Sequence, residues 1–295
     1  MKLHLLLKSA FTLLLLLLCS QSYAQKDTTK TKLFVITTND GGEFIGEIIS
    51  EDAKEVLIKT KDKGEVSIPK YQIKSRKALE SGDLNASGQY IPAEIFSTRY
   101  FITTNGLPIE KGESYVQWNL WGPDFEFGVS KNLSVGVMTT WIANPIIANA
   151  KYSIPLNKKT SLGVGALLGT STWIAPGAFS VALPFASITN GDRRSNISFT
   201  AGYGALLFGD GATDASGRML LSGAGMTKVG KKVSLVFDSF IVPPKNFSGT
   251  TAILIPSLRV QTASDKAFQF GFAGVYTDSE FVPLPIPFVQ WYKKL

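Results

Sequence analysis

Strict alternation of apolar with small or polar side chains dominates the chain after residue 97. In SNISFTAGYGALLF (195–208), Ile197 and Phe199 share one face, while Ser198 and Thr200 share the other. A period of two residues is typical of a β-strand with two different faces. The same alternation recurs at 132–141, 160–171 and 266–277. These residues are therefore predicted to be all-β.

The second face of these strands is small or polar, and this limits the environment of the sheet. A soluble sheet turns Lys, Glu and Thr toward water, whereas a membrane barrel turns apolar side chains to lipid and small or polar ones to its lumen. The chain from 97 to 295 is therefore predicted to be an antiparallel up-and-down membrane β-barrel of about twelve strands. The predicted strands are 97–104, 114–130, 132–141, 146–155, 160–171, 177–189, 195–208, 217–228, 231–242, 250–261, 266–277 and 281–292. The stretch 115–129 is readable as one long strand or two short ones.

Lys or Arg occurs in every second connection between these strands. Five short basic turns lie near residues 131, 158, 193, 231 and 265, and the connections between them are richer in Pro, Gly and Asp. An even strand count places both ends of the barrel beside the basic turns, which predicts that this end faces the periplasm. Interfacial aromatic girdles are expected from Trp118, Trp121, Trp141, Trp173 and Trp291. The chain ends on FVQWYKKL rather than on an aromatic residue, so a secreted or periplasmic β-rich binding or adhesion protein stays open as the alternative.

Residues 1–24 have the pattern of a secretory signal peptide. Lys2 and Lys8 precede an apolar run, and Ser22 and Ala24 stand at the −3 and −1 positions of a cut before Gln25. The run is shorter than the roughly 20 residues that a membrane helix needs. Lipidation at Cys19 and a retained anchor are the less favoured alternatives.

Cleavage after residue 24 would remove the only cysteine, Cys19, and the only histidine, His4. The mature chain would then lack the residues for Ser-His-Asp or Cys-His catalysis and for His- or Cys-ligated zinc. Asp210 and Asp214 lie in a Gly-rich loop without the closing Glu of a calcium loop, so an ordinary surface loop is expected there. We therefore expect no enzyme activity, no metal and no cofactor.

Residues 33–79, after a tail at 25–32 and before a linker at 80–96, read as a small β module. Short β-rich runs alternate with turn signals at 39–42 and 62–64. Their order resembles the SH3-like or Sm-like pattern, with Gly46 where a sharply bent strand needs no side chain. Its lysines are balanced by acidic residues, so nucleic acid is not expected as a partner. A structural role or contact with a periplasmic protein is expected instead.

Four charged residues fall on the predicted inner faces of the barrel strands: Arg99, Glu126, Asp238 and Arg259. Arg99 and Glu126 belong to neighbouring predicted strands, as do Asp238 and Arg259. Each pair is therefore expected to interact inside the lumen, between the two neighbouring strands. Such pairs either line and constrict a pore or merely fix the barrel. Twelve strands enclose only a modest bore, and neither set of loops is long enough to fold inward as a large plug.

Two stretches carry a resemblance to a protein family. STRYFITTNGLPIEKGESYVQ (97–117) and FEFGVSKNLSVGV (125–137) resemble a group of outer-membrane barrel proteins from Bacteroidota. The resemblance implies an outer-membrane location, with the bilayer and the outer-membrane insertion machinery as partners, but no substrate and no functional residues. A narrow pore, a small-solute transporter or a structural membrane protein is the expected function.

Overall fold

The computed structural model describes residues 32–79, 83–84, 90–208, 216–243, 251–277 and 280–295. The predicted leader and the loop with Asp210 and Asp214 lie outside the described residues. The chain divides into two compact units, Met1–Leu84 and Asn85–Leu295. None of the helical turns in the described ranges is long and apolar enough to cross a bilayer.

The first unit contains a five-stranded antiparallel sheet. Its strands are β1 (Leu33–Thr38), β2 (Glu43–Glu51), β3 (Glu55–Thr60), β4 (Gly64–Pro69) and β5 (Ile73–Ala78), with a 3₁₀ turn at Lys70–Gln72 before β5. The strand order is β4-β3-β2-β1-β5. Ile36, Val56, Ile58 and Ile68 form its core. A β-carbon at Gly46 would overlap the carbonyl oxygen of Lys59, so β2 needs glycine there. The Sm-like relationship stays a prediction.

The second unit is a closed antiparallel barrel of twelve strands. They are β6 (Ser114–Asn119), β7 (Pro123–Gly128), β8 (Leu133–Thr139), β9 (Ile146–Pro155), β10 (Thr160–Thr170), β11 (Phe179–Gly191), β12 (Ser195–Phe208), β13 (Ser216–Lys228), β14 (Val233–Val242), β15 (Thr251–Ala263), β16 (Lys266–Thr277) and β17 (Glu280–Lys294). Each strand pairs with the next, and β17 pairs with β6 to close the barrel. The predicted twelve-stranded barrel preceded by a small β module is confirmed.

The predicted count of twelve is correct because two errors cancel. Residues 97–104 are not a barrel strand, and 114–130 is two strands, β6 and β7, joined by a tight turn. Gly122 in that turn has φ +150°, and a β-carbon there would overlap the carbonyl oxygen of Thr139. Glycine is therefore required where the β6–β7 hairpin reverses, and the single long strand is excluded.

The faces of the barrel strands follow the alternation in the sequence. Phe199 and Leu168 point outward and are each 60 % exposed, whereas Ser198 and Gln269 are buried inside. We call the end with the turns at 129–132, 156–159, 192–194, 229–232 and 264–265 the basic end, and the opposite end the far end. Ser114 at the start of β6 and Leu295 after β17 meet at the basic end through a backbone hydrogen bond.

Candidate functional site

Residues 90–113, here called the inner segment, run through the lumen of the barrel. Phe96, Tyr100 and Phe101 are completely buried. The segment enters beside the basic-end turn at 192–194, where the Arg193 carbonyl oxygen accepts a hydrogen bond from the Glu94 N–H. It reverses in a turn closed by the Tyr100 N–H and the Thr103 carbonyl, and it returns to the basic end. The sequence predicts only that the loops between strands are too short to form a large plug, whereas the residues that fill the lumen precede β6.

Arg259 on β15 holds one arm of the inner segment and is completely buried. Its Nη1 donates to the Phe96 carbonyl oxygen at 2.6 Å, and its Nη2 donates to the carbonyl oxygens of Arg99 and Tyr100 at 2.7 and 2.8 Å. Its guanidinium carbon lies 4.6 Å from the centre of the Tyr292 ring. A buried guanidinium can satisfy several carbonyls at once because it carries five donors, so this residue is an anchor for backbone.

Asp238 on β14 binds the turn of the inner segment. Its Oδ2 accepts hydrogen bonds from three successive backbone N–H groups, those of Phe101, Ile102 and Thr103, at 3.0, 2.6 and 2.8 Å. The Thr103 hydroxyl donates to Oδ1 at 2.6 Å. Hydrogen bonds to an ionised carboxylate are stronger than neutral ones, and here they hold the tip of the segment, residues 101–103.

Lys151 on β9 binds the returning arm. Its Nζ donates to the carbonyl oxygens of Asn105 and Leu107 at 2.8 and 3.0 Å. The Gly106 N–H donates to the Thr189 hydroxyl at 2.7 Å. A β-carbon at Gly106 would lie 2.7 Å from the Ser161 carbonyl oxygen, so glycine allows the arm to lie directly against β10.

A bidentate ion pair closes the segment at the basic end, outside the barrel strands. The Arg193 guanidinium donates to both carboxylate oxygens of Glu113, at 2.9 and 2.8 Å. Burial acts to raise the pKa of Glu113, but the hydrogen bonds and charge of Arg193 outweigh it and hold the pKa below the ordinary value of 4.5. The carboxylate therefore stays ionised at neutral pH and fixes the return of the chain to β6.

The charged residues that the sequence placed in the lumen are all buried, but their predicted pairing is wrong. Arg99 pairs with Asp124 instead of Glu126, because it lies in the inner segment rather than on a strand beside β7. Asp238 and Arg259 bind opposite kinds of backbone group, N–H and C=O, on the inner segment instead of each other. Glu126 lies on β7, and its Oε2 makes no hydrogen bond to the described protein atoms.

An apolar cavity lies on the far side of the tip. Its volume is about 210 Å³, and the tip residues Ile102 and Thr103 form part of its lining. The walls come from inward positions of the strands, chiefly Met138, Leu167, Leu183, Phe185, Leu220 and Phe240. The lumen is thus polar where the inner segment fills it and apolar beyond the tip.

The part of the chain that the structure describes contains no candidate metal site. No three His, Cys, Asp or Glu side chains there come together as metal ligands. Of the buried carboxylates, Asp124 pairs with Arg99, and Asp238 binds backbone N–H groups of the inner segment. Their arrangement is suited to holding the inner segment.

Sequence reasoning missed the inner segment, Lys151 and Asp124. The stretch STRYFITT (97–104) has the composition of a strand, and local pattern does not show whether its partners are a neighbouring strand or a lumen wall. One signal was available: Lys151 lies at an inward position of β9 between the polar inward residues Asn149 and Ser153. A buried lysine needs acceptors, and the carbonyl groups of an inserted segment supply them.

The comparisons with known proteins give only distant likenesses. No family model and no curated protein matches the chain. Among solved structures, the NanC porin is 10 % identical with a TM-score of 0.40, over 62 % of this chain and 97 % of that chain. The outer-membrane-expressed OmpT of Vibrio cholerae is 8 % identical with a TM-score of 0.40, over 90 % of this chain and 95 % of that chain. The barrel assignment follows from the strand pairing of the chain itself.

Proposed function

We propose that the chain is an integral outer-membrane β-barrel that its own inner segment closes to free diffusion, and that it acts as a small-solute transporter rather than an open pore. The exterior supports the membrane environment. Phe199, Phe272 and Leu168 are outward side chains that are more than half exposed, and a closed barrel satisfies its backbone groups internally, as hydrocarbon requires. Trp141 and Trp173, at 62 and 67 % exposure in far-end connections, fit an interfacial position.

The observation that carries the closed state is the anchoring of the inner segment. Arg259, Asp238 and Lys151 come from three different strands, β15, β14 and β9, and together they bind both arms and the tip. Side chains that bind a segment from several sides leave it little freedom to move aside. The twelve-stranded lumen, already modest in bore, is then occupied over its basic-end half.

Conductance in planar bilayers tests this function. The protein should show little or no conductance. A variant in which residues 95–108 are replaced by a Gly-Ser linker should show a conductance at least roughly tenfold higher. The reason is that the narrowest section of a pore limits its conductance. Large porin-like conductance of the unaltered protein, or no gain on replacement, would contradict the proposal.

The alternative is a secreted or periplasmic β-rich binding or adhesion protein. Membrane fractionation with heat-modifiable gel mobility separates the two, because a membrane barrel sediments with membranes and migrates differently when it is unheated. A soluble protein without heat-modifiable mobility would favour the alternative.

The orientation and the partners follow from the same proposal. The basic end and the small β module would face the periplasm, where residues 33–79 could contact a periplasmic protein, and the outer-membrane insertion machinery would place the barrel. No enzyme activity, cofactor or nucleic-acid partner is expected.

A further inference from the structure

The backbone pairing between β13 and β14 is interrupted in the middle of the barrel wall. Leu221 pairs with Ile241, and pairing resumes at Gly225 with Phe237, without a change of register. Three consecutive positions on each strand, 222–224 and 238–240, are therefore left out of the ladder. Inter-strand hydrogen bonds are what closes a barrel wall, so this is a local weakness in it.

This interruption differs from three others in the described wall. The gap between β11 and β12 contains Pro184, the gap between β15 and β16 contains Pro256, and the gap between β16 and β17, where the register also shifts, contains Pro285. Proline lacks the N–H that a ladder needs, which accounts for these three. No proline lies in 222–224 or 238–240. Instead, the Ser239 hydroxyl donates to the Gly223 carbonyl oxygen at 2.6 Å and accepts from the Gly223 N–H at 2.9 Å.

Outside the wall, the same place is a groove. Gly223 and Gly225 occupy outward positions of β13, between Phe199 and Ile197 on β12 and Phe237 on β14. A β-carbon at Gly223 would meet only ordinary contacts, with Phe199 at 3.7 Å and Ser239 at 3.8 Å. The glycines therefore leave an apolar furrow that faces the hydrocarbon of the membrane.

On the lumen side of the wall, the unpaired positions lie next to the apolar cavity. Thr200, Leu221 and Ser222 line both the cavity and the outer groove. The tip of the inner segment lies at this level, because the Ser222 hydroxyl is 3.5 Å from the Thr103 hydroxyl and Asp238 binds the tip from β14. The inner segment closes the way toward the basic end, which leaves the far end and the wall between β13 and β14 as the two routes out of the cavity.

We propose that the wall between β13 and β14 at Ser222–Ala224 and Asp238–Phe240 is a lateral passage through which a small apolar molecule moves between the lumen cavity and the bilayer. The proposal rests on the proposed membrane function and names its solute class. An apolar cavity of about 150 Å³ already binds benzene, so the cavity volume of about 210 Å³ suits a short alkyl or aromatic molecule. The Thr103 and Thr104 hydroxyls in the cavity lining are bonded to Asp238 and to the Thr98 carbonyl, and Arg99, which also lines the cavity, is paired with Asp124. Because these polar groups already have partners, the cavity favours a solute without polar groups.

A disulfide across the interruption tests the passage. Cys19 is the only cysteine in the sequence, and it would be removed with the leader, so introduced cysteines would be unique. Gly223→Cys with Ser239→Cys places two thiols across the gap, in reach of a disulfide. The bond is formed by oxidation only after the barrel has folded into phosphatidylcholine vesicles, which heat-modifiable mobility verifies. The probe is a short alkyl diazirine, and photolabelling of Leu220 and Phe240 is mapped by mass spectrometry.

The reduced variant should be labelled at these lumen positions, and oxidation should abolish that labelling. Thr227→Cys with Leu235→Cys, in the intact part of the same ladder, is the matched control and should be labelled equally in both states. Gly223→Leu, which fills the groove, should also lose lumen labelling without needing a disulfide. Labelling that persists after oxidation would show entry from the far end and overturn the passage, as would absence of lumen labelling in the reduced protein. Free conductance of the unaltered protein would instead contradict the closed barrel.

Discussion

The carboxylate of Asp238 accepts a 2.6 Å hydrogen bond from the backbone N–H of Ile102, and this contact joins the barrel wall to the tip of the segment inside it. The two flanking N–H groups bind the same oxygen. Three convergent backbone donors form an anion-binding nest, which here is filled by a side chain of the protein. The tip is thereby bound to β14, the strand whose pairing with β13 is interrupted.

Asp238→Asn should loosen the inner segment. The amide is neutral and brings a donor where three N–H groups point, so hydrogen bonds to a charged acceptor, each about 1.5–3 kcal/mol, are lost or weakened. Planar-bilayer recordings should then show more frequent opening than in the unaltered protein. Asp265→Asn, in a basic-end turn, is the control and should leave the recordings unchanged. Equal conductance in both variants would show that Asp238 does not hold the tip.

Arg259→Met should lower the melting temperature of the barrel. Methionine has a similar length but no donors, so the buried Arg99 carbonyl oxygen loses its partner, at a cost of about 1–3 kcal/mol. The Phe96 and Tyr100 carbonyl oxygens lose their Arg259 hydrogen bonds and keep only those from the Arg99 N–H and the Tyr292 hydroxyl. Heat-modifiable gel mobility as a function of temperature measures the change. Arg218→Met, at an exposed position of β13, should have little effect. A change confined to ion selectivity, with no loss of stability, would contradict the anchoring role.

Acid should weaken the attachment of the inner segment at the basic end. The pKa of Glu113 is lowered in the folded protein, so the folded state binds fewer protons there than the unfolded state. The resulting stability is fully present above the unfolded value of about 4.5 and is lost as pH falls through the folded pKa. Melting temperatures measured from pH 7 to 3 should fall less steeply for Glu113→Gln than for the unaltered protein. Glu110→Gln, whose side chain is 74 % exposed, should follow the unaltered protein.

Gly46→Ala should destabilise the small β module. The added methyl group would overlap the Lys59 carbonyl oxygen, and overpacking of this kind typically costs about 1–3 kcal/mol. Hydrogen exchange of residues 33–79 in the full chain should become faster, while the barrel strands keep their protection. Glu47→Ala, at the adjacent exposed position, is the control. Unchanged exchange would show that β2 can move away from β3 at little cost.

Epitope tags should be accessible on intact cells at 209–215 and inaccessible at 192–194. The expectation rests on the basic turns, which lie at the end of the barrel where β6 begins and β17 finishes. Antibody binding before and after permeabilisation measures it. The reverse pattern would place the basic end outside the cell.

The sequence by itself determined the barrel strands from β8 onward, because each carries its own evidence in the alternation of its two faces. β9 was predicted to the residue at 146–155, and β10 to within one residue. The closed barrel follows from such strands, since their outward faces are apolar and their inward faces small or polar. The faces of Phe199 and Ser198 were likewise correctly assigned from pattern alone.

Only the tertiary structure decided what fills the barrel. The stretch 97–104 has the local pattern of a strand, yet its backbone groups bond to Arg259 and Asp238, which are about 160 and 135 residues away in sequence. Short-range periodicity does not carry the identity of such distant partners. The same limit applies to the interruption between β13 and β14, which depends on the Ser239 hydroxyl meeting Gly223 across the wall. Both features depend on hydrogen bonds between residues that are distant in sequence, which exist only in the folded chain.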